Sequence, residues 1–182
     1  MKNITELIIK YRSCAGIICL IILLYLAVPN AKSITIGFFI MLGGIFFRAW
    51  SSGYINKDNE LAKDGPYALT KNPLYFGNFV LGLGIALAGS SISSYIIFFV
   101  YYLMFFPFLM IIEHHRLKKK FGKEYEEWSR RSNSFFPKIK TVKDFNFNIA
   151  LYMKNKEYRV LFFSFFVIAF LILKYLKIIK TG

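Results

Sequence analysis

Two cysteines and two histidines in 182 residues leave little material for metal or redox chemistry. Cys14 and Cys19 both fall in the first apolar run, where a thiol reads as a small apolar side chain. Neither a disulfide framework nor a nucleophile with a neighbouring base follows from them. His114 and His115 are adjacent, next to Glu113. Ligands of one helical site want a spacing of three or four, so this trio fans out around the helix and argues against a bound metal. Acidic residues are scarce as well: ten Asp and Glu stand against twenty-four Lys and Arg, a net charge of +14. On a soluble scaffold such an excess would suggest nucleic acid, but here the basic residues sit between apolar runs, and a membrane face explains them better. Repeats and low-complexity tracts are absent. The fragment Gly82-Leu83-Gly84 has Leu87 at the third glycine position and no strand before it, which excludes a dinucleotide fingerprint.

Apolar side chains are what the chain has in quantity. It is 56% hydrophobic and 19% aromatic, with a mean hydropathy of +0.46, too apolar for an ordinary soluble domain. Five apolar runs can be marked at about 14–28, 34–50, 74–89, 95–112 and 160–176, each near the length a spanning helix needs. The expected fold is an all-α integral membrane protein of one domain: a bundle of about five transmembrane helices with cytoplasmic amphipathic cap helices over 113–159. The first run is expected as a retained span, because 29–32 lacks a small-x-small cleavage pattern and another apolar run follows. Short connections at 29–33 and 90–94 imply two tight helical hairpins. Twenty of the twenty-four Lys and Arg, Lys57, Lys140 and Lys143 among them, fall on the face carrying the long connections, and Lys32, Lys174, Lys177 and Lys180 on the other. The positive-inside rule makes the first face cytoplasmic. The C-terminal lysines fit that scheme poorly.

The stretch 65–77 reads as a shaped polar loop leading into a helix that starts at Pro73, where a missing N–H costs nothing. In the run that follows, Gly82/Ala86 and Gly84/Ala88 repeat at four-residue spacing and predict close helix packing. Pro107 predicts a kink in the fourth run. Leu117, Phe121, Tyr125 and Trp128 form one apolar stripe of an amphipathic helix, lying on the membrane or covering the bundle's mouth. Phe135, Phe136, Phe145 and Phe147 continue as interfacial structure. Arg48, Glu113 and the Lys71-Asn72 loop should meet at the cytoplasmic end of the bundle. An ionisable residue at the edge of a span is usually paired or faces a cavity, which makes this cluster a site candidate.

Two blocks carry a resemblance. Gly65-Pro66-Tyr67 with Lys71-Asn72-Pro73-Leu74-Tyr75-Phe76-Gly77, then Glu113-His114 with Leu117, Phe121-Gly122, Tyr125 and Trp128, resemble the isoprenylcysteine carboxyl methyltransferase and phospholipid methyltransferase superfamily over roughly 48–137, and its bacterial members most. The resemblance implies S-adenosylmethionine held at the cytoplasmic ends of the helices, with contacts at Leu61, Ala62, Tyr67, Asn72, Pro73, Leu74, Tyr75, Glu113 and His114. It also implies a lipophilic or small-molecule methyl acceptor arriving from the lipid bilayer, and a multi-pass protein of a bacterial inner membrane. Departures fall at His114 and Asn72, at Asn133-Ser134 ahead of Phe135-Phe136-Pro137, and at Leu109, where some relatives carry an acceptor-binding arginine. Methyl transfer from a sulfonium is an in-line displacement, so no catalytic base is assigned, and Arg48 is offered as an anchor for an anionic acceptor. Two other readings stay open: an NADPH-dependent, sterol-reductase-like membrane enzyme, and a non-enzymatic lipid-binding protein.

Overall fold

The computed structural model describes residues 2–56, 60–139 and 147–177; Lys57, Lys140, Lys143, Phe145 and Lys180, which entered the patterns above, lie outside them. Among the described residues seven helices follow in order: α1 (Lys2–Leu26), α2 (Ala31–Ser52), α3 (Pro66–Leu69), α4 (Pro73–Gly89), α5 (Ile92–Arg131), α6 (Ile149–Lys154) and α7 (Tyr158–Tyr175). Four of them, α1, α2, α5 and α7, are long and apolar enough to cross a membrane, and α4 is a shorter apolar helix of 17 residues between α2 and α5. The expected all-α membrane bundle is therefore what forms.

Glycine-lined backbone sets the centre of the bundle. A Cβ at Gly37 would lie 2.5 Å from the Gly84 carbonyl oxygen, and one at Gly44 only 2.5 Å from the Leu81 nitrogen, so α2 and α4 touch main chain to main chain. The small residues of α4 divide between two faces: Gly77, Gly84 and Ala88 meet α2, while Gly82 meets the Phe98 ring of α5. The outer ends of the two hairpins are tied together, Val28 N–H donating to Gly89 O at 2.7 Å and Asn30 Nδ2 to Ser90 Oγ at 3.2 Å. Asn30 also caps α2 reciprocally with Ser33, and Ser33 Oγ donates to Ala88 O. On this same side Lys174 Nζ donates to the carbonyls of Leu24 and Tyr25, at 3.0 and 2.5 Å. That lysine satisfies the exposed C-terminal carbonyls of α1, which explains its place on the charge-poor face and shows that α7 runs the full depth of the bundle.

The structure differs from expectation in the cap that follows the fourth run. Within α5, from Ile92 to Arg131, two helical segments meet at a kink at Gly122, where the backbone leaves helical angles (φ 52, ψ −123), and Pro107 lies inside the first of them. Only glycine adopts such angles without strain. The stripe expected on one helix is thus folded across a corner. Tyr125 and Trp128 nonetheless pack into one cluster with Leu61 and Tyr67, with Leu117 and Phe121 against it. This cluster covers the mouth of the bundle.

Candidate functional site

At the long-loop end, the chain after α2 turns at Gly65, whose positive φ of 56° admits a tight entry into α3 with its Cα against the Tyr54 ring. Pro73 opens α4 as expected, with Asn72 as the cap residue. Between α3 and α4 the loop is fastened to a strap, residues 132–138, which runs parallel to it at Thr70 and Asn133. Lys71 N–H donates to Asn133 O at 2.8 Å, Asn72 Nδ2 to Ser134 O at 2.7 Å, Thr70 Oγ1 to Phe135 O at 2.9 Å and Lys138 N–H to Leu69 O at 3.0 Å. From above, Trp128 Nε1 donates to Tyr67 O at 3.2 Å, and Lys63 Nζ reaches Glu124 at 2.8 Å.

These contacts enclose a cavity of about 540 Å³. Of the nine residues expected to contact a cofactor, eight line it: Leu61, Ala62, Tyr67, Asn72, Pro73, Leu74, Tyr75 and Glu113. His114 is not among the lining residues; its Nδ1 shares a 2.8 Å hydrogen bond with the Tyr125 hydroxyl, bracing the cap. Burial, with the His115 and Lys71 charges nearby, lowers its pKa, which favours the neutral ring. Glu113 accepts from Arg116 at 2.7 Å and keeps a third of its side chain exposed. Burial, reinforced by the Glu113 and Glu157 carboxylates, holds the Tyr67 hydroxyl well above its ordinary pKa, so it stays protonated. Lys71, also lining the cavity, is lowered by burial and by the Lys138 ammonium.

A second, largely apolar cavity of about 440 Å³ lies deeper, walled by α1, α4 and α5 through residues such as Leu20, Leu23, Ile85, Phe98, Tyr101 and Phe106. Arg12, Arg48, Tyr75, Asn78 and Leu109 line both cavities and mark where they join. Arg48 is fully engaged there. Its Nε and Nη2 bond Glu157 at 2.7 to 3.1 Å, and its Nη1 donates to Asn78 Oδ1. Both members of the ion pair are about one-eighth exposed, at 12% and 13%. The carboxylate comes from just ahead of α7, whose approach is set by Asn155 Nδ2 donating to the carbonyls of Ser52 and Ile55 at the end of α2.

Sequence reasoning missed Arg12, Asn78 and Glu157. Asn78 was visible as the one amide side chain inside the 74–89 run, and Glu157 as an acid at the entrance of the last run. Their partnership with Arg48, 30 and 109 residues away in sequence, had no local signal. Among the described residues, no group of three or more His, Cys, Asp or Glu converges as a metal site would require.

Residues 11–124 match the family model described as phospholipid methyltransferase. The nickel-cobalt-cadmium resistance protein NccN of Alcaligenes xylosoxydans xylosoxydans is 30% identical over 112 residues, covering 60% of this chain and 52% of that protein. The cobalt-zinc-cadmium resistance protein CzcN of Cupriavidus metallidurans is 31% identical over 94 residues, 50% of this chain and 43% of that one. A protein-S-isoprenylcysteine O-methyltransferase of Schizosaccharomyces pombe is 32% identical over 84 residues, 46% and 36% of the two chains. The chain thus spans about half or less of the length of these relatives. No solved structure matches. The matched segment runs from α1 through the Gly122 corner and takes in all of the residues lining the two cavities except Ile9, Trp128 and Phe163, and on it the chain belongs to the phospholipid methyltransferase family.

Proposed function

We propose that the protein is a membrane methyltransferase that binds S-adenosylmethionine in the loop-end cavity and a lipophilic or small acceptor in the apolar cavity beneath it. One observation carries this reading: eight residues that the resemblance links to the methyl donor line a single cavity, which opens at Arg12, Arg48, Tyr75, Asn78 and Leu109 onto an apolar one. Family membership supports the reaction class.

The lining suits the donor. Glu113 can accept from ribose hydroxyls or an ammonium, Lys71 and the start of α4 can hold a carboxylate, and Tyr67, Tyr75 and Trp128 offer ring surface to a base or a sulfonium. When bound, S-adenosylmethionine supplies an electrophilic methyl group on a sulfonium. What the chain contributes is alignment and dryness: the Tyr67–Trp128 cover excludes water from above, and α4 and α5 hold the junction open to the apolar cavity. The Tyr75 carbonyl is fixed by the Tyr102 hydroxyl at 3.0 Å, which pins the first turn of α4 beside that junction. The excess of basic residues around the long loops favours the cytoplasm for this end, and the resemblance to bacterial members of the superfamily favours a bacterial inner membrane for the protein.

Calorimetry of the detergent-purified protein with S-adenosylhomocysteine, and separately with NADPH, tests the reading. Binding of the first alone is expected. Binding of NADPH alone would make the protein reductase-like, and binding of neither would favour a non-enzymatic role.

A further inference from the structure

Among the cations that border the junction, two guanidinium groups line both cavities, and they differ in how their charge is met. Arg48 is bonded through all three nitrogens to Glu157 and Asn78. In the loop-end cavity Arg116 is likewise bonded to Glu113. Arg12, on α1, has no carboxylate within ion-pair distance among the described residues; its guanidinium lies beside the Tyr75 hydroxyl, and its own carbonyl accepts from Tyr101 at 3.1 Å. The Tyr101 bond fixes the backbone of α1 at the level of the junction, so Arg12 is held there and half-buried. A guanidinium at the polar end of an otherwise apolar cavity, with no internal counter-charge, is suited to a planar or tetrahedral oxyanion, which it can bind through two parallel N–H donors.

We propose that Arg12 selects the acceptor, by receiving an acidic group, carboxylate or phosphate, on a molecule whose apolar part fills the cavity between α1, α4 and α5. This rests on the reading that the apolar cavity is the acceptor's. It moves the anion-binding role from Arg48, whose charge the protein already neutralises, to a residue on a different helix. Arg48 with Glu157 and Asn78 then forms a neutral wall of the junction, and the net positive charge offered to the acceptor is that of Arg12. An apolar molecule with an uncharged head would leave that half-buried guanidinium, beside the Tyr75 hydroxyl, without a counter-charge, which disfavours it.

The test uses the full chain in phosphatidylcholine nanodiscs and three ten-carbon probes: decanoate, decyl phosphate and decanol. Dissociation constants are measured for wild type, Arg12→Gln and Arg12→Lys, each with and without S-adenosylhomocysteine. The quantity read is the preference for the acid over the alcohol, compared between variants so that partitioning into the bilayer cancels. Wild type should prefer at least one acid by about tenfold more than Arg12→Gln does, with Arg12→Lys between them. Which acid shows the larger difference separates carboxylate from phosphate recognition. An equal preference in wild type and Arg12→Gln would overturn the proposal. So would loss of S-adenosylhomocysteine affinity in Arg12→Gln with the acid preference intact, which would give Arg12 to the donor. If S-adenosylhomocysteine binds none of the three proteins, the methyltransferase reading fails, while the acid preference is still decided by the probes alone.

Discussion

Glu113 and Glu126 offer a controlled comparison, because both stand on α5 and both are ion-paired, Glu113 to Arg116 at 2.7 Å and Glu126 to Lys118 at 2.8 Å. Only Glu113 lines the loop-end cavity. A charge-assisted hydrogen bond to a ligand is worth about 1.5–3 kcal/mol, so Glu113→Gln should weaken S-adenosylhomocysteine binding about ten- to a hundredfold in calorimetry, and Glu126→Gln should leave it unchanged. Equal affinities would remove Glu113 from the site. Lys71 allows a chemical reading of the same cavity. Its lowered pKa means that, as pH rises, it releases its proton earlier than an ordinary lysine would. At pH 8 an amine-acylating reagent should therefore modify Lys71 faster than the exposed Lys123, and S-adenosylhomocysteine should slow that modification; peptide mass spectrometry of the labelled sites checks both.

Among the elements, the α2–α4 contact is the one with least slack. A Cβ at Gly84 would sit 2.6 Å from the Met41 nitrogen, whereas one at Gly43, on the other side of α2, meets nothing within 4 Å. Gly84→Leu must push two backbones apart, at a cost of about 1–3 kcal/mol, and should lower the melting temperature in detergent; Gly43→Leu should not. A Gly84→Leu protein that melts like wild type would show that the helices are free to separate. This contact was legible beforehand because spacing along one helix is local information: Gly84 and Ala88 announce a small-residue face. The partition of α4 into an α2 face and an α5 face was not legible, since Gly82 looks the same as Gly84 until Phe98 is seen against it. The cap shows the converse. The apolar positions 117, 121, 125 and 128 were read correctly as one cluster, but the periodicity alone gave no notice that Gly122 would turn the helix in their midst. The cofactor-type residues near 61–75 were legible as a motif. The Arg48–Glu157 pair, which depends on where α7 arrives, was not.

At the scale of the molecule, the two ends of the bundle are built differently. One is closed by the Val28–Gly89 and Asn30–Ser90 bonds and by Lys174 on α1; the other carries the loops, the strap and the site. Single cysteines replacing Lys63 and Lys123 should both be labelled from the cytoplasmic side of sealed vesicles, and one replacing Lys32 from the opposite side. Opposite labelling of Lys63 and Lys123 would break the topology. The strap's fastening has a consequence for how such proteins diverge. The loop addresses it through the carbonyls of residues 133, 134 and 135 and the amide of 138, atoms that every non-proline residue carries. The side chain at 134 is thereby released from the duty of holding the roof in register, and that of Asn133, which donates to Phe136 O at 3.1 Å, braces only the strap itself. Substitutions can accumulate there without shifting it, and the history of a change in acceptor should be written instead in the wall beneath, at positions such as 12 and 109.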